Sequence, residues 1–271
     1  MATIFSLDPT PGLPVLLAAL VVGGPVAAQG SHADTLRFTP TLSTVVSGSL
    51  AEPGEGWVPL SVDDRPRGAV EVSAREDRRC LSVETAGEVV ALGRLVPGSE
   101  EGEADSTGSM VDGGTEQGGD APVFITWSWF LDEGVPGSSL DRKEGDDYGA
   151  RVLVNFRFES DRAGLFERIG RSLAGERYGV EAPGSSLSYV WSVEDAVGSV
   201  ARNPNTDRVA TIVVAGADDR GWGRIGRDLA ADYQTVFGES APPVVSIVLF
   251  SDSDDTGKTT RSCFGEVELI R

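Results

Sequence analysis

The sequence predicts an all-β fold, an antiparallel β-sandwich whose simplest form is a jelly roll, and three observations carry that prediction. Short runs of apolar residues alternate with polar ones at period two along most of the chain. The 34 glycines and 15 prolines punctuate those runs with turns. Only two stretches carry helical periodicity. An apolar content of 40%, with ten Phe and five Trp, is enough for a substantial core. A length of 271 residues suits one domain, because β-sandwiches run past ~200 residues as single units.

The chain opens with an apolar run from Leu13 to Ala28 that ends in the small residues Val26, Ala27 and Ala28, the form of a secretory leader cut near Ala28. Asp8 and the lack of Lys or Arg ahead of the run depart from the usual leader pattern. Pro14, Gly23, Gly24 and Pro25 interrupt it, and it falls short of the ~20 residues that span a bilayer. The expected organisation is therefore a signal peptide at 1–28, an N-terminal segment at 29–56 and a single sandwich domain at 57–271, in a periplasmic or extracellular location. In an exported chain, Cys80 and Cys263 either form the one disulfide open to them or remain two buried thiols.

Gly68 to Ala74, Arg79 to Val83 and Glu88 to Leu92 read as the first strands. From Pro97 to Pro122 the pattern gives way to Gly, Ser, Thr and seven acids with no base among them, as expected of a disordered insert. The richest strand follows: in Val123 to Leu131, Ile125, Trp127, Trp129 and Leu131 share one face, which marks both tryptophans as core. In Arg151 to Phe158 the alternation puts Val152, Val154, Phe156 and Phe158 inward. Arg151, Asn155 and Arg157 then face outward onto a solvated surface. Leu187 to Ser192 and Val209 to Ala215 continue the series. Helical spacing predicts one helix over Arg162 to Leu173 and another over Arg224 to Phe237, the second stopped by Gly238 and followed by Pro242 and Pro243. It leads into the strand Val244 to Phe250, and Cys263 to Ile270 closes the sheet.

With 42 acids against 23 bases the net charge is −19, which argues against nucleic acid as a partner, since a phosphate backbone is bound by a basic face. Lys143 and Lys258 are the only lysines, and His32 is the only histidine. A Ser/His or Cys/His catalytic pair and a histidine-based metal site are thereby disfavoured.

Three groups of residues remain as site candidates. The first is the turn Ser251 to Lys258, where Asp252, Asp254 and Asp255 cluster after a buried-type strand. Asp252, Asp254 and Thr256 have the spacing that opens a calcium loop, with Gly257 at the sixth position. Cys263 stands where the closing bidentate Glu belongs, so an EF-hand is excluded and only a looser Ca²⁺ site from several loops remains. The plainer reading is a turn whose carboxylates cap backbone amides. The second group is Asp146 and Asp147 with Arg151, which either bind sugar hydroxyls or pin the loop to the sheet. The third is Trp222, which follows the turn residues Asp218 to Gly221 and is the aromatic best placed for exposure. Arg227, Asp228, Asp218 and Asp219 read as solvated helix-end and turn charges.

Several motifs occur in a recognisable order: Thr126-Trp-Ser-Trp129, Lys143-Glu-Gly-Asp-Asp147 ahead of Arg151, Leu187-Ser-Tyr-Val-Trp191, Arg227-Asp228 with Asp232-Tyr233, Phe237-Gly-Glu239, and Ser251 to Gly257. As an ordered set, from about Trp57 to the C-terminus, they resemble an uncharacterised family of exported bacterial proteins classed as a domain of unknown function. The resemblance implies a galactose-binding-like jelly roll, a fold widely used by carbohydrate-binding modules, and no established activity.

These readings converge on an exported non-catalytic binding module for carbohydrate or a cell-envelope ligand, with Ca²⁺ as the one cofactor to test and no membrane span after leader removal. The expected ligand residues are Asp146, Asp147, Arg151, Trp222, Asp252, Asp254 and Asp255, and the expected metal ligands are Asp252, Asp254 and Thr256. The alternatives are a structural envelope protein without a small ligand and a glycoside hydrolase. The hydrolase would use Asp146 or Asp147 with Glu239 or Asp254 as its acid and base.

Overall fold

The computed structural model describes residues 34–42, 56–60, 62, 67–97, 124–158, 183–203 and 207–271. The leader, all but the first residue of the acidic insert and the helix expected over 162–173 lie outside the described residues. Among those described, thirteen strands form two sheets. One sheet holds β11 (Gly221–Asp228), β6 (Phe124–Glu133), β13 (Thr259–Ile270), β4 (Arg78–Ala86) and β3 (Ala69–Arg75) in that order, with β1 (Thr35–Phe38) also pairing to β13. The other runs β2 (Val58–Pro59), β5 (Val89–Leu95), β12 (Val244–Asp252), β7 (Arg151–Phe156), β8 (Ser185–Trp191), β10 (Val209–Ala215) and β9 (Val200–Arg202).

The winding is that of a jelly roll. The successive pairs β4/β5, β6/β7 and β12/β13 each place one strand in each sheet, and β12 and β13 lie between the other two pairs. Among the described strands, pairing is antiparallel except between β8 and β10, which run parallel, and the isolated bridges Leu42–Trp57 and Arg67–Val89 are parallel as well. The sandwich also begins earlier than Trp57, because Thr35–Phe38 pairs with Val267 to Ile270.

The alternation read from the sequence sets the core. Ile125, Trp127, Trp129 and Leu131 of β6 are buried, and Trp127 meets Tyr189 of the facing sheet at 5.4 Å between ring centroids. Burying side chains of this size is the main favourable term in holding two sheets together. Cys80 and Cys263 are joined in a disulfide that ties β4 to β13 across 183 residues of chain.

Two expectations are corrected. The periodicity over Arg224–Phe237 belongs to two elements, with β11 running to Asp228 and the helix α1 covering only Leu229–Phe237. Gly223 and Gly226 are poor helix formers. Asp228 instead caps the helix, its carboxylate accepting from the Ala231 amide at 2.9 Å. Gly238, in the left-handed conformation at φ 77°, ends it as expected. The second correction concerns the outward face of β7, which is not solvated: Arg151 and Asn155 are 8% and 7% exposed. Asn155 donates to Ser246 at 2.9 Å and accepts from Ser186 at 2.6 Å, so a polar ladder crosses β8, β7 and β12.

Candidate functional site

The loop before β7 and the turn after β12 meet at one corner of the second sheet. Asp147, fully buried, accepts from the Thr256 amide at 2.6 Å and the Asp255 amide at 3.3 Å. Asp252 accepts from the Tyr148 amide at 2.8 Å and from Arg151 at 3.2 Å. The same guanidinium donates to the Asp146 carboxylate at 3.0 Å, and it packs 4.9 Å from the Tyr148 ring centroid. Ser253 anchors the turn to the end of β4 and the β4–β5 connection through Thr85 at 2.8 Å and the Gly87 amide at 2.9 Å.

Electrostatics at this corner favour fewer charges than the residues nominally carry. Burial pushes the Asp252 carboxyl up to about 7, against the pull of Arg151 and the Tyr148 amide. Burial likewise opposes the charge on Arg151, but Asp252 and Asp146 more than offset it and raise its pKa. Tyr148 is also raised, first by burial.

The two acidic clusters of the sequence thus form one assembly. Asp147, Asp252 and Asp254 each present a carboxylate oxygen within 4.8 Å of the others. Those three oxygens fall short of the six to eight that Ca²⁺ takes, and both oxygens of Asp147 already accept from amides. Thr256 contributes its amide to Asp147, and the Asp255 side chain is exposed. What the arrangement does chemically is fasten the 143–150 loop, the 252–258 turn and the β4–β5 connection together. It offers a substrate little: Asp147 is sealed from solvent, and Glu239 pairs with Arg208 at 3.4 Å.

Trp222 stands elsewhere. It pairs with Phe130, which puts it on the outer face of the first sheet, half-buried, with its indole N–H donating to the Arg75 carbonyl at 3.0 Å. It borders a notch of about 530 Å³. The notch forms where the neighbour of β13 changes: pairing with β4 ends at Phe264, pairing with β1 begins at Val267, and Gly265 and Glu266 form a bulge between them. A side chain at Gly265 would collide with the Ser128 hydroxyl and come within 3.2 Å of the Trp222 ring, so glycine is required there. Arg78, Arg79, Arg224 and Glu266 supply the charged lining. Arg224 is committed to Glu268 at 2.5 Å and Thr126 at 2.9 Å. Burial pushes the Glu268 carboxyl up, but hydrogen bonds from Arg224 and Thr126 hold it below the ordinary range.

A second cleft, also about 530 Å³, lies where β9 and β10 of one sheet face β11 and α1. Val197 and Val200 on its rim are 60% and 50% exposed. At one wall Arg227 forms a two-pronged pair with Asp232, which also accepts from the buried Tyr189 hydroxyl at 2.9 Å. Burial and the Asp232 charge push the Tyr189 phenol well up, while the Asp232 hydrogen bond raises Arg227. Reading Arg227 as a solvated helix-end charge missed this network. The signal was present, since Tyr189, Arg227 and Asp232 all belong to the ordered motif set.

A family profile described as "Protein of unknown function (DUF3047)" matches residues 55–268. No curated protein matches the chain. Among solved structures, a loop swap mutant of Necallimastix patriciarum Xyn11A is similar at 10% identity and a TM-score of 0.30, with 87% of this chain and 96% of that chain covered.

Proposed function

The chain belongs to the DUF3047 family of proteins of unknown function, and we propose that its domain is an exported, non-catalytic module that binds carbohydrate of the cell envelope or its surroundings in the Trp222 notch. The observation that carries this reading is the notch itself. A half-buried indole, whose ring face suits the C–H face of a sugar, borders it, and a hydroxyl and charged groups surround the gap. The Cys80–Cys263 disulfide supports export, because such bonds persist in oxidising compartments. Calorimetry against a panel of oligosaccharides tests the reading. Saturable binding that Trp222→Ala removes, with the unfolding midpoint little changed, is expected. No binding by any member, with or without Ca²⁺, would leave the structural envelope role in its place.

A structural Ca²⁺ at the acidic corner is the second reading, motivated by the convergence of Asp147, Asp252 and Asp254. Such an ion would add backbone carbonyls or waters to those carboxylates and stabilise the folded state by mass action. A Ca²⁺-dependent rise in the unfolding midpoint, absent in Asp254→Asn, supports it. An unchanged midpoint up to millimolar Ca²⁺ rejects it.

A further inference from the structure

We propose that the cleft beside β11 receives an extended peptide segment of another protein, apolar and basic in alternation, which adds to the free edge of β11 as a further strand of the first sheet. The two sheets do not end together. Arg227 of β11 lies over Tyr189 of β8, 5.8 Å from the ring centroid, so β10 and β9 continue the second sheet past the point where the first stops. Val200 of β9 is registered beside Ile212 of β10, and both point to the same side. Ile212 belongs to the core between the sheets and is 4% exposed, whereas Val200, with no strand of the first sheet opposite it, is 50% exposed. Two of the three large apolar side chains exposed among the described residues, Val197 and Val200, therefore rim this one cleft. β11 itself is eight residues long, and among the described residues its second edge takes no backbone partner. Edges of that length are ordinarily covered or blunted, because their unpaired N–H and C=O groups template a further strand. A strand laid about 4.8 Å from β11 would cover both valines.

Alternation in β11 sets the chemistry of the incoming strand. Ile225 and Arg227 register with Trp127 and Ile125 and point inward, while Arg224 and Asp228 point to the outer face. The inward residues of an added strand meet Val200, Ile212 and Ile225, which suits β-branched side chains. Its outward residues meet the charges along the edge. The arginines there are already committed, Arg220 to the Asp132 carbonyl, Arg224 to Glu268 and Arg227 to Asp232. Exposed Asp228 stands at one end of β11. Shortly before the other end stands exposed Asp218, which makes no hydrogen bond or ion pair among the described residues. Lysine or arginine on the outward side complements that edge, and the net charge of −19 steers a basic segment toward it. The same charge sets a second copy of this chain against pairing here. Main-chain hydrogen bonds along β11 supply affinity, and the valine-rimmed cleft selects the alternate side chains.

The test uses the full chain and three short synthetic peptides. One alternates valine with lysine, one alternates valine with glutamate, and one is the lysine peptide N-methylated along its backbone so that it cannot pair as a strand. Calorimetry at about 0.15 M salt measures binding, and amide hydrogen exchange followed by NMR reads β11. The lysine peptide is expected to bind saturably and to slow exchange between Gly223 and Arg227, and the other two to bind at least about tenfold more weakly. Val200→Asp and Val197→Asp, both at exposed positions, are expected to weaken the lysine peptide at least about tenfold with the unfolding midpoint unchanged. Equal binding of the glutamate peptide overturns the basic partner. Binding that leaves β11 exchange unchanged, that tolerates N-methylation or that survives both aspartate variants overturns strand addition. A dimer in sedimentation that Val200→Asp dissolves gives the edge to a second copy and overturns the proposal, as does binding of none of the peptides.

Discussion

Arg151 and Asp252 face each other at 3.2 Å, both buried, at the corner where the loop before β7 meets the turn after β12. Asp146 and the Tyr148 ring complete the enclosure of the guanidinium. The pair decides how that corner responds to mutation and to pH.

Removing the cation leaves a buried carboxylate without its counter-charge, so Arg151→Met is expected to cost about 3–5 kcal/mol of stability. Asp252→Asn should cost less, because Arg151 keeps Asp146 at 3.0 Å. The double variant should recover much of the loss, since both charges are then gone. Urea unfolding of the three variants and the wild type closes the cycle.

The pH response has a definite sign. Asp252 titrates at about 7 in the folded protein, above the ~3.9 of an unfolded aspartate. Between those values the folded state keeps a proton that the unfolded state has released, so the group's contribution is greatest below pH ~4, falls as pH rises and levels off above about 7. The stability of the wild type minus that of Asp252→Asn should therefore decline by on the order of 4 kcal/mol across the window. Unfolding measured at several pH values checks this, and a flat or rising difference contradicts it.

The disulfide closes a long loop, its ends 183 positions apart in the chain. Cys80→Ser with Cys263→Ser should lower stability by about 3–5 kcal/mol, most of it through the freed unfolded chain. The check is denaturation of this variant beside the oxidised protein.

Helix α1 is held at its start by two devices. Asp228→Ala removes the cap and should cost about 1 kcal/mol. Asp232→Asn weakens its bonds to Arg227 and Tyr189 and should cost about 1–3 kcal/mol. Hydrogen exchange of the α1 amides distinguishes local loosening from a global loss.

The sandwich was legible because its strands alternate cleanly; Ile125, Trp127, Trp129 and Leu131 announce a buried face without any tertiary information. The acidic corner was half legible. Asp-rich turns and the Asp146–Arg151 spacing stand out in the sequence, but their meeting depends on β7 and β12 lying side by side. The burial of Arg151 was hidden for a related reason, since alternation tells one face from the other and says nothing about what covers the second. Arg224 to Phe237 misled because Ile225, Leu229, Tyr233 and Val236 fit a helix as well as they fit a strand followed by one. The notch was least visible. Trp222 stood out, but the bulge at Gly265 and Glu266 arises from a change of strand partner that no local pattern encodes.

The most direct test of the central claim is a solution NMR titration that follows the Trp222 indole N–H together with the Gly223 and Gly265 amides, using a panel of oligosaccharides. Saturable shifts concentrated at those three positions are predicted. Saccharide-induced shifts that map elsewhere, or none at all, would contradict the account.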